Sequence, residues 1–189
     1  MPVLAIMAAL TWNILVSAQT PISGPQSGIL GQGTYLVTGE ITVASGQSLE
    51  IMPGTTLLHN GNYAWEINGQ LNVQGTASDS VRFERYMPLD EHRWGGIRFN
   101  QGASSSSTIE YAVIDHCYHP EVPNKPGGGI YANGVNLIIT NTRISNSENS
   151  NEGGGLYTVG STIIMDHCVV VNNFAAGAEN GGGIYLTNS

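Results

Sequence analysis

One phrase recurs along the second half of this chain: Gly127-Gly128-Gly129-Ile130-Tyr131, Gly153-Gly154-Gly155-Leu156-Tyr157 and Gly181-Gly182-Gly183-Ile184-Tyr185. The copies start 26 and 28 residues apart, and Trp94-Gly95-Gly96-Ile97 is an earlier, weaker copy. A period of about 20 to 50 residues means one supersecondary unit stacked on itself, each turn burying its apolar face against the next. Few folds satisfy that constraint.

The text between the triplets keeps the same register. Residues 137–146 (Leu137 to Asn146) line up, 26 positions on, with 163–172 (Ile163 to Asn172), and 109–116 fit the frame one coil earlier. Short β-branched runs broken by Gly, Asn and Ser read as strands of three to six residues. No window carries a convincing amphipathic helix. Stacked coils put equivalent residues about 4.8 Å apart. The predicted inward ladders are therefore Ile114/Ile144/Val170, Ala112/Thr142/Cys168 and Ile97/Ile130/Leu156/Ile184. Asn146 and Asn172 are predicted to stack at a corner, in the left-handed conformation that Asn tolerates. The glycine triplets suit a corner that needs positive φ or close backbone approach. The fold class that follows is all-β: a right-handed parallel β-helix of roughly 26-residue coils.

The earlier half follows the same logic less regularly. Gly39-Glu40-Ile41-Thr42-Val43, Pro53-Gly54-Thr55-Thr56-Leu57, Ile67-Asn68-Gly69-Gln70-Leu71 and Ser80-Val81-Arg82-Phe83 are strand-turn units that run on into Trp94-Gly95-Gly96-Ile97. The unit around Pro53-Gly54, Asn68-Gly69-Gln70-Leu71, Gln74-Gly75-Thr76-Ala77 and Trp94-Gly95-Gly96-Ile97 resemble the opening coils of secreted bacterial right-handed parallel β-helix proteins of the pectin-lyase-like superfamily. The resemblance spans roughly residues 30–189. It implies the fold and an extracellular setting, and is poor for activity.

Composition narrows the partners. Six Lys and Arg stand against 14 Asp and Glu, for a net charge of −8, and no cation precedes Arg82. Phosphate binding needs clustered cations, so nucleic acid is excluded as an expected partner. Residues 3–16 are apolar and end in Val16-Ser17-Ala18, which fits a secretory signal at 1–18 cleaved after Ala18, although Lys and Arg are missing from its start. About 14 residues fall short of the roughly 20 that a span requires, so no membrane span is expected after cleavage. The domain reading is a signal at 1–18, a lead-in or cap at 19–38, and a β-helix at 39–189 that is incomplete at its C-terminus. A helix end left open there would self-associate end to end, because bare strand edges invite pairing.

The twin triplets Asp115-His116-Cys117 and Asp166-His167-Cys168 suggest a metal site. The coil frame argues against it, since Asp115 aligns with Ser145 and Val171 rather than with Asp166. Two free thiols are expected, because two coils of separation exceed the roughly 7 Å limit on a disulfide. The loops before each glycine strand (86–93, 118–126, 147–152 and 173–180) are predicted to protrude along one edge. They carry Asp90, Glu91, His92, Trp94, His119, Glu121, Glu148 and Glu152, and also Glu179. Carboxylates beside Tyr, His and Trp suit sugar stacking, and calcium is the one ion they would suit. No cofactor motif is present.

Lyases of the resembling superfamily abstract a proton with Lys or Arg beside calcium, and its hydrolases use paired aspartates. Arg93, Arg98, Lys125 and Arg143 sit in no recognisable motif, and no Asp-Asp pair occurs. No catalytic residue is therefore assigned. The expected role is a secreted scaffold that binds polysaccharide or another cell-surface or matrix component through a lateral face. The alternative is a polysaccharide-active enzyme, lyase before hydrolase.

Overall fold

The computed structural model describes residues 19–120, 127–177 and 181–189. The expected signal segment lies outside these residues. The chain is a parallel β-helix whose coils contribute one strand to each face. One face stacks β2 (Gly28–Leu30), β4 (Ser48–Ile51), β7 (Gln70–Gln74), β10 (Thr108–Glu110), β14 (Asn136–Thr140) and β18 (Thr162–Asp166).

The other two faces are continuous through one long strand, β3 (Thr34–Val43). Its first half pairs with β5 (Thr56–His59), and the stack continues through β8 (Val81–Arg85), β11 (Ala112–Asp115), β15 (Arg143–Ser145) and β19 (Val169–Val171). Its second half pairs with β6 (Trp65–Ile67), followed by β9 (Ile97–Phe99), β13 (Ile130–Asn133), β17 (Leu156–Val159) and β21 (Ile184–Thr187). The strand β1 (Thr20–Pro25) lies against β3. Sheet pairing thus begins inside the segment expected as a lead-in, before residue 39. The period predicted from the triplets holds where Ile130 pairs with Leu156 and Ile139 with Met165; earlier coils vary in length, short where Leu49 lies on Leu71 and longer where Val73 lies on Ile109.

All three predicted ladders are present or continuous with the observed pairing. Ile114, Ile144 and Val170 are successive partners, as are Ile97, Ile130, Leu156 and Ile184. Their interior is apolar: Phe83, Ile97, Ile114, Ile130, Ile144 and Leu156 are all fully buried. Alternation along each strand sends one set of side chains inward, and stacking makes that set a continuous core.

Corners repeat as well as strands. His116, Asn146 and Asn172 have φ of 56°, 53° and 56°, and Tyr111, Asn141 and His167 form a second such set at 45°, 50° and 53°. The two His of the twin triplets thus sit at different corners, as the coil frame requires. Cys117 and Cys168 are free. Burial pushes the Cys117 thiol well up, so it stays an inert apolar group.

The triplets meet two demands. Gly127 and Gly153 have φ of 89° and 63°. The second glycine answers crowding instead: a Cβ on Gly128 would lie 2.3 Å from the Gly154 carbonyl oxygen. Gly128→Ala is expected to cost about 1–3 kcal/mol, the usual range for overpacking. Gly31→Ala, where a Cβ meets nothing within 4 Å, should stay within about 0.5 kcal/mol of wild type. Denaturant midpoints of the two variants check this; equal midpoints would contradict the close coil approach.

Candidate functional site

The lateral edge is built by an excursion from β8. After Arg85 the chain leaves the sheet, anchored by the Tyr86 N–H donating to the His59 carbonyl at 2.8 Å. It then makes a 3-10 turn over Asp90–His92 and returns through Arg93. One coil on, β11 ends at Asp115 and turns at His116. Between excursion and corner lies a groove of about 280 Å³, lined by Glu84, Arg85, Tyr86, Met87, Pro88, Asp115 and His116.

Asp115 is the most tightly held side chain in that groove. One carboxylate oxygen accepts from Ser145 Oγ and Asn146 Nδ2, each at 2.8 Å, and the other meets His116 Nδ1 at 2.5 Å. Burial pushes its carboxyl up, but the three hydrogen bonds and the His116 charge outweigh burial and hold it below the usual range. Asp115 is therefore an anion at neutral pH, and it fixes the imidazole beside it. Glu84 is paired with Arg82, whereas Arg85 has no ion-pair partner among the described residues.

The edge residues predicted from sequence fall into several places. Asp90 and Glu91 are exposed on the 3-10 turn; His92 is half-buried against the Tyr86 ring at 5.8 Å. Trp94 departs from the expected surface patch. It is fully buried, its indole stacked on His59 at 4.1 Å with Nε1 donating to the Asp115 carbonyl at 2.9 Å. A large ring that follows an excursion packs back under it, and this one closes the core. His119 is also buried. The loops at 118, 147 and 173 do not simply protrude: β12 (Tyr118–His119), β16 (Glu148–Asn149) and β20 (Phe174–Ala175) pair as a short additional sheet.

Glu148 is engaged by Arg93 Nη1 at 2.9 Å, while Arg93 Nη2 donates to the Cys117 carbonyl at 3.1 Å. The Arg93 guanidinium also lies 4.9 Å from the Tyr118 ring centroid. Glu148 thus belongs to a clamp between coils. Glu152 is half-buried, and its carbonyl accepts from Gly127 N–H at 3.0 Å. Glu121, and Glu179 with it, lies outside the described residues. Among the described residues, no group of three or more His, Cys, Asp and Glu is placed to hold a metal ion.

Two further surface features were not foreseen from sequence. Tyr131, Tyr157 and Tyr185 stack with ring centroids 5.9 and 5.3 Å apart. The Tyr157 hydroxyl is pushed up by burial, then by Glu152 and its tyrosine neighbours, so it remains a proton donor. The rings turn their faces to one another, leaving edges and hydroxyls as the accessible chemistry. At the near end, the Arg98 guanidinium lies 5.0 Å from the Tyr131 ring and donates to the Gly95 and Gly127 carbonyls at 3.1 and 3.0 Å. Burial pulls Arg98 down to about 10, which leaves it charged. Secondly, a groove of about 330 Å³ at another corner is lined by uncharged groups, among them Ser45, Gln47, Ser48, Asn68 and Gln70. The ladder register could have signalled the tyrosine stack, since Tyr follows each glycine triplet. The grooves have no local sequence signal.

Fold and groove together define a parallel β-helix with polar lateral grooves. Comparison with known proteins adds nothing narrower: no family model, no curated protein and no solved structure matches the chain.

Proposed function

We propose that the protein is a secreted or cell-surface β-helix scaffold that binds polysaccharide, or another cell-surface or matrix component, along its lateral face. The observation that carries this reading is the 280 Å³ groove beside the 86–93 excursion. It lies near the lower end of small-ligand sites, about 300–1,000 Å³, and so suits one unit of a longer chain. Tyr86 supplies an amphipathic ring of the kind that packs against sugar C–H faces while its hydroxyl stays wet. The second groove offers amide and hydroxyl groups without charge, which suits hydroxyl-rich ligands. A net charge of −8 argues against nucleic acid.

Affinity electrophoresis through gels containing neutral polysaccharides tests the reading. Wild type is expected to be retarded without product, and Tyr86→Ala to weaken that retardation about tenfold, the ~1.4 kcal/mol of one lost aromatic contact. Retardation that Tyr86→Ala leaves unchanged would remove the groove from the account. Release of products absorbing in the ultraviolet would place the protein with the lyases instead.

A further inference from the structure

The register shows what the fold demands at the groove's corner and what it does not. Asp115 pairs with Ser145, which pairs with Val171, and the next position is His116, Asn146 and Asn172 in successive coils. All three residues at that next position share the left-handed backbone, with φ of 53–56°. Asn alone meets the structural need in two coils. An imidazole in the third is chemistry that the corner does not require.

That imidazole is also set up in a particular way. Its Nδ1 faces Asp115, whose other oxygen is pinned by Ser145 and Asn146. Nε2 has no hydrogen-bond partner among the described residues, and the His116 side chain is 28 % exposed and lines the groove. An anion on Nδ1–H leaves the Nε2 lone pair free to take a proton. The same dipeptide recurs as Asp166-His167, 2.8 Å apart, but there the side chains are 66 and 75 % exposed. Neither residue of that second pair lines a described groove. It is an internal control.

We propose that the groove hydrolyses carboxylic esters, such as O-acyl groups on a glycan, with His116 as general base, Asp115 as its positioning residue and Arg85 facing the developing negative charge. This rests on the groove being the ligand site of the proposed function. His116 Nε2 takes one proton from a water molecule as the water oxygen bonds to the ester carbonyl carbon. The negative charge that develops on the carbonyl oxygen lies in the groove that Arg85 lines. As the intermediate collapses, the bond from the acyl carbon to the alcohol oxygen breaks. That oxygen takes the proton back from the imidazolium, and the carboxylic acid loses its own proton to solvent. Water is the only co-reactant.

The test is hydrolysis of p-nitrophenyl acetate by the full chain across pH, with three variants. His116→Asn copies the neighbouring coils, so it should keep the wild-type melting temperature. It is expected to lower kcat/KM about 100-fold, the lower end for a lost general base, and to abolish the pH-dependent limb. Asp115→Asn, which presents the wrong partner to Nδ1, is expected to lower the rate and displace the pH profile. His167→Asn should match wild type, because an exposed imidazole supplies only background. A wild-type rate no greater than that of His116→Asn, or an equal loss in His167→Asn, overturns the proposal. Since the probe carries no sugar, that failure is separate from failure to bind polysaccharide, which the gel experiment reads on its own.

Discussion

Ile144→Asp is expected to cost about 3 kcal/mol or more of folding stability, because it places a carboxylate without partners in a buried apolar interior. Ile144 is fully buried and sits between Ile114 and Val170 in the stack. Its position is also tied to the glycine triplet: a Cβ on Gly129 would lie 2.9 Å from Ile144 Cγ2. The branch of Ile144 thus occupies room that glycine leaves. Ile144→Val removes one methyl group and should cost only about 1 kcal/mol. Urea titrations of both variants check the ordering. An aspartate variant as stable as the valine variant would mean that Ile144 does not face the core, and the register would be wrong with it.

Acid should loosen the same core at a second point. His59 is fully buried, with Nδ1 bonded to the Glu84 carbonyl at 2.9 Å and Nε2 accepting from Trp65 Nε1 at 3.0 Å. Both ring nitrogens are thus satisfied with the imidazole neutral, the Nδ1–H donating. Desolvation lowers its pKa from 6.5 to about 3, with the backbone hydrogen bond opposing. The unfolded chain therefore binds a proton that the folded chain refuses. The stabilisation is complete above pH 6.5 and declines as pH falls toward 3. From pH 7 to pH 4.5 the loss is about 3 kcal/mol from this residue alone.

His59→Gln, which can donate and accept like the neutral ring, isolates that loss. The variant should start less stable at pH 7, through poorer packing against Trp94, yet decline less by about 3 kcal/mol on the way to pH 4.5. Parallel stability curves for the two proteins would mean that His59 admits its proton while folded. Asp115 acts in the same pH direction for a different reason, since its folded carboxyl is held low and loses its hydrogen-bonded anion in acid. It is present in both proteins and cancels in the comparison.

The residues whose placement was legible in the sequence are those that repeat. Ile114, Ile144 and Val170 were assignable because each has an equivalent one coil away, and the left-handed turn at Asn146 and Asn172 was legible for the same reason. The edge was harder. Trp94 read as a surface aromatic because it follows a polar excursion, and nothing local says that such a ring folds back onto His59. His119 and Glu148 read as loop residues, since a two-residue strand has no periodicity of its own; only its neighbours above and below make it a strand.

The parallel β-helix follows from the repeat alone, because a repeated strand-turn unit can bury its apolar face only against its own copies. The alternation along each strand likewise sets which positions face inward. The groove comes from the path of the chain in three dimensions. The β8–β11 register, with Phe83 on Ile114, brings the end of β8 beside Asp115 and His116, and the excursion at Tyr86 to Pro88 supplies the other wall. The position of that wall depends on the path of an irregular loop, where no period constrains the chain and packing alone selects the conformation.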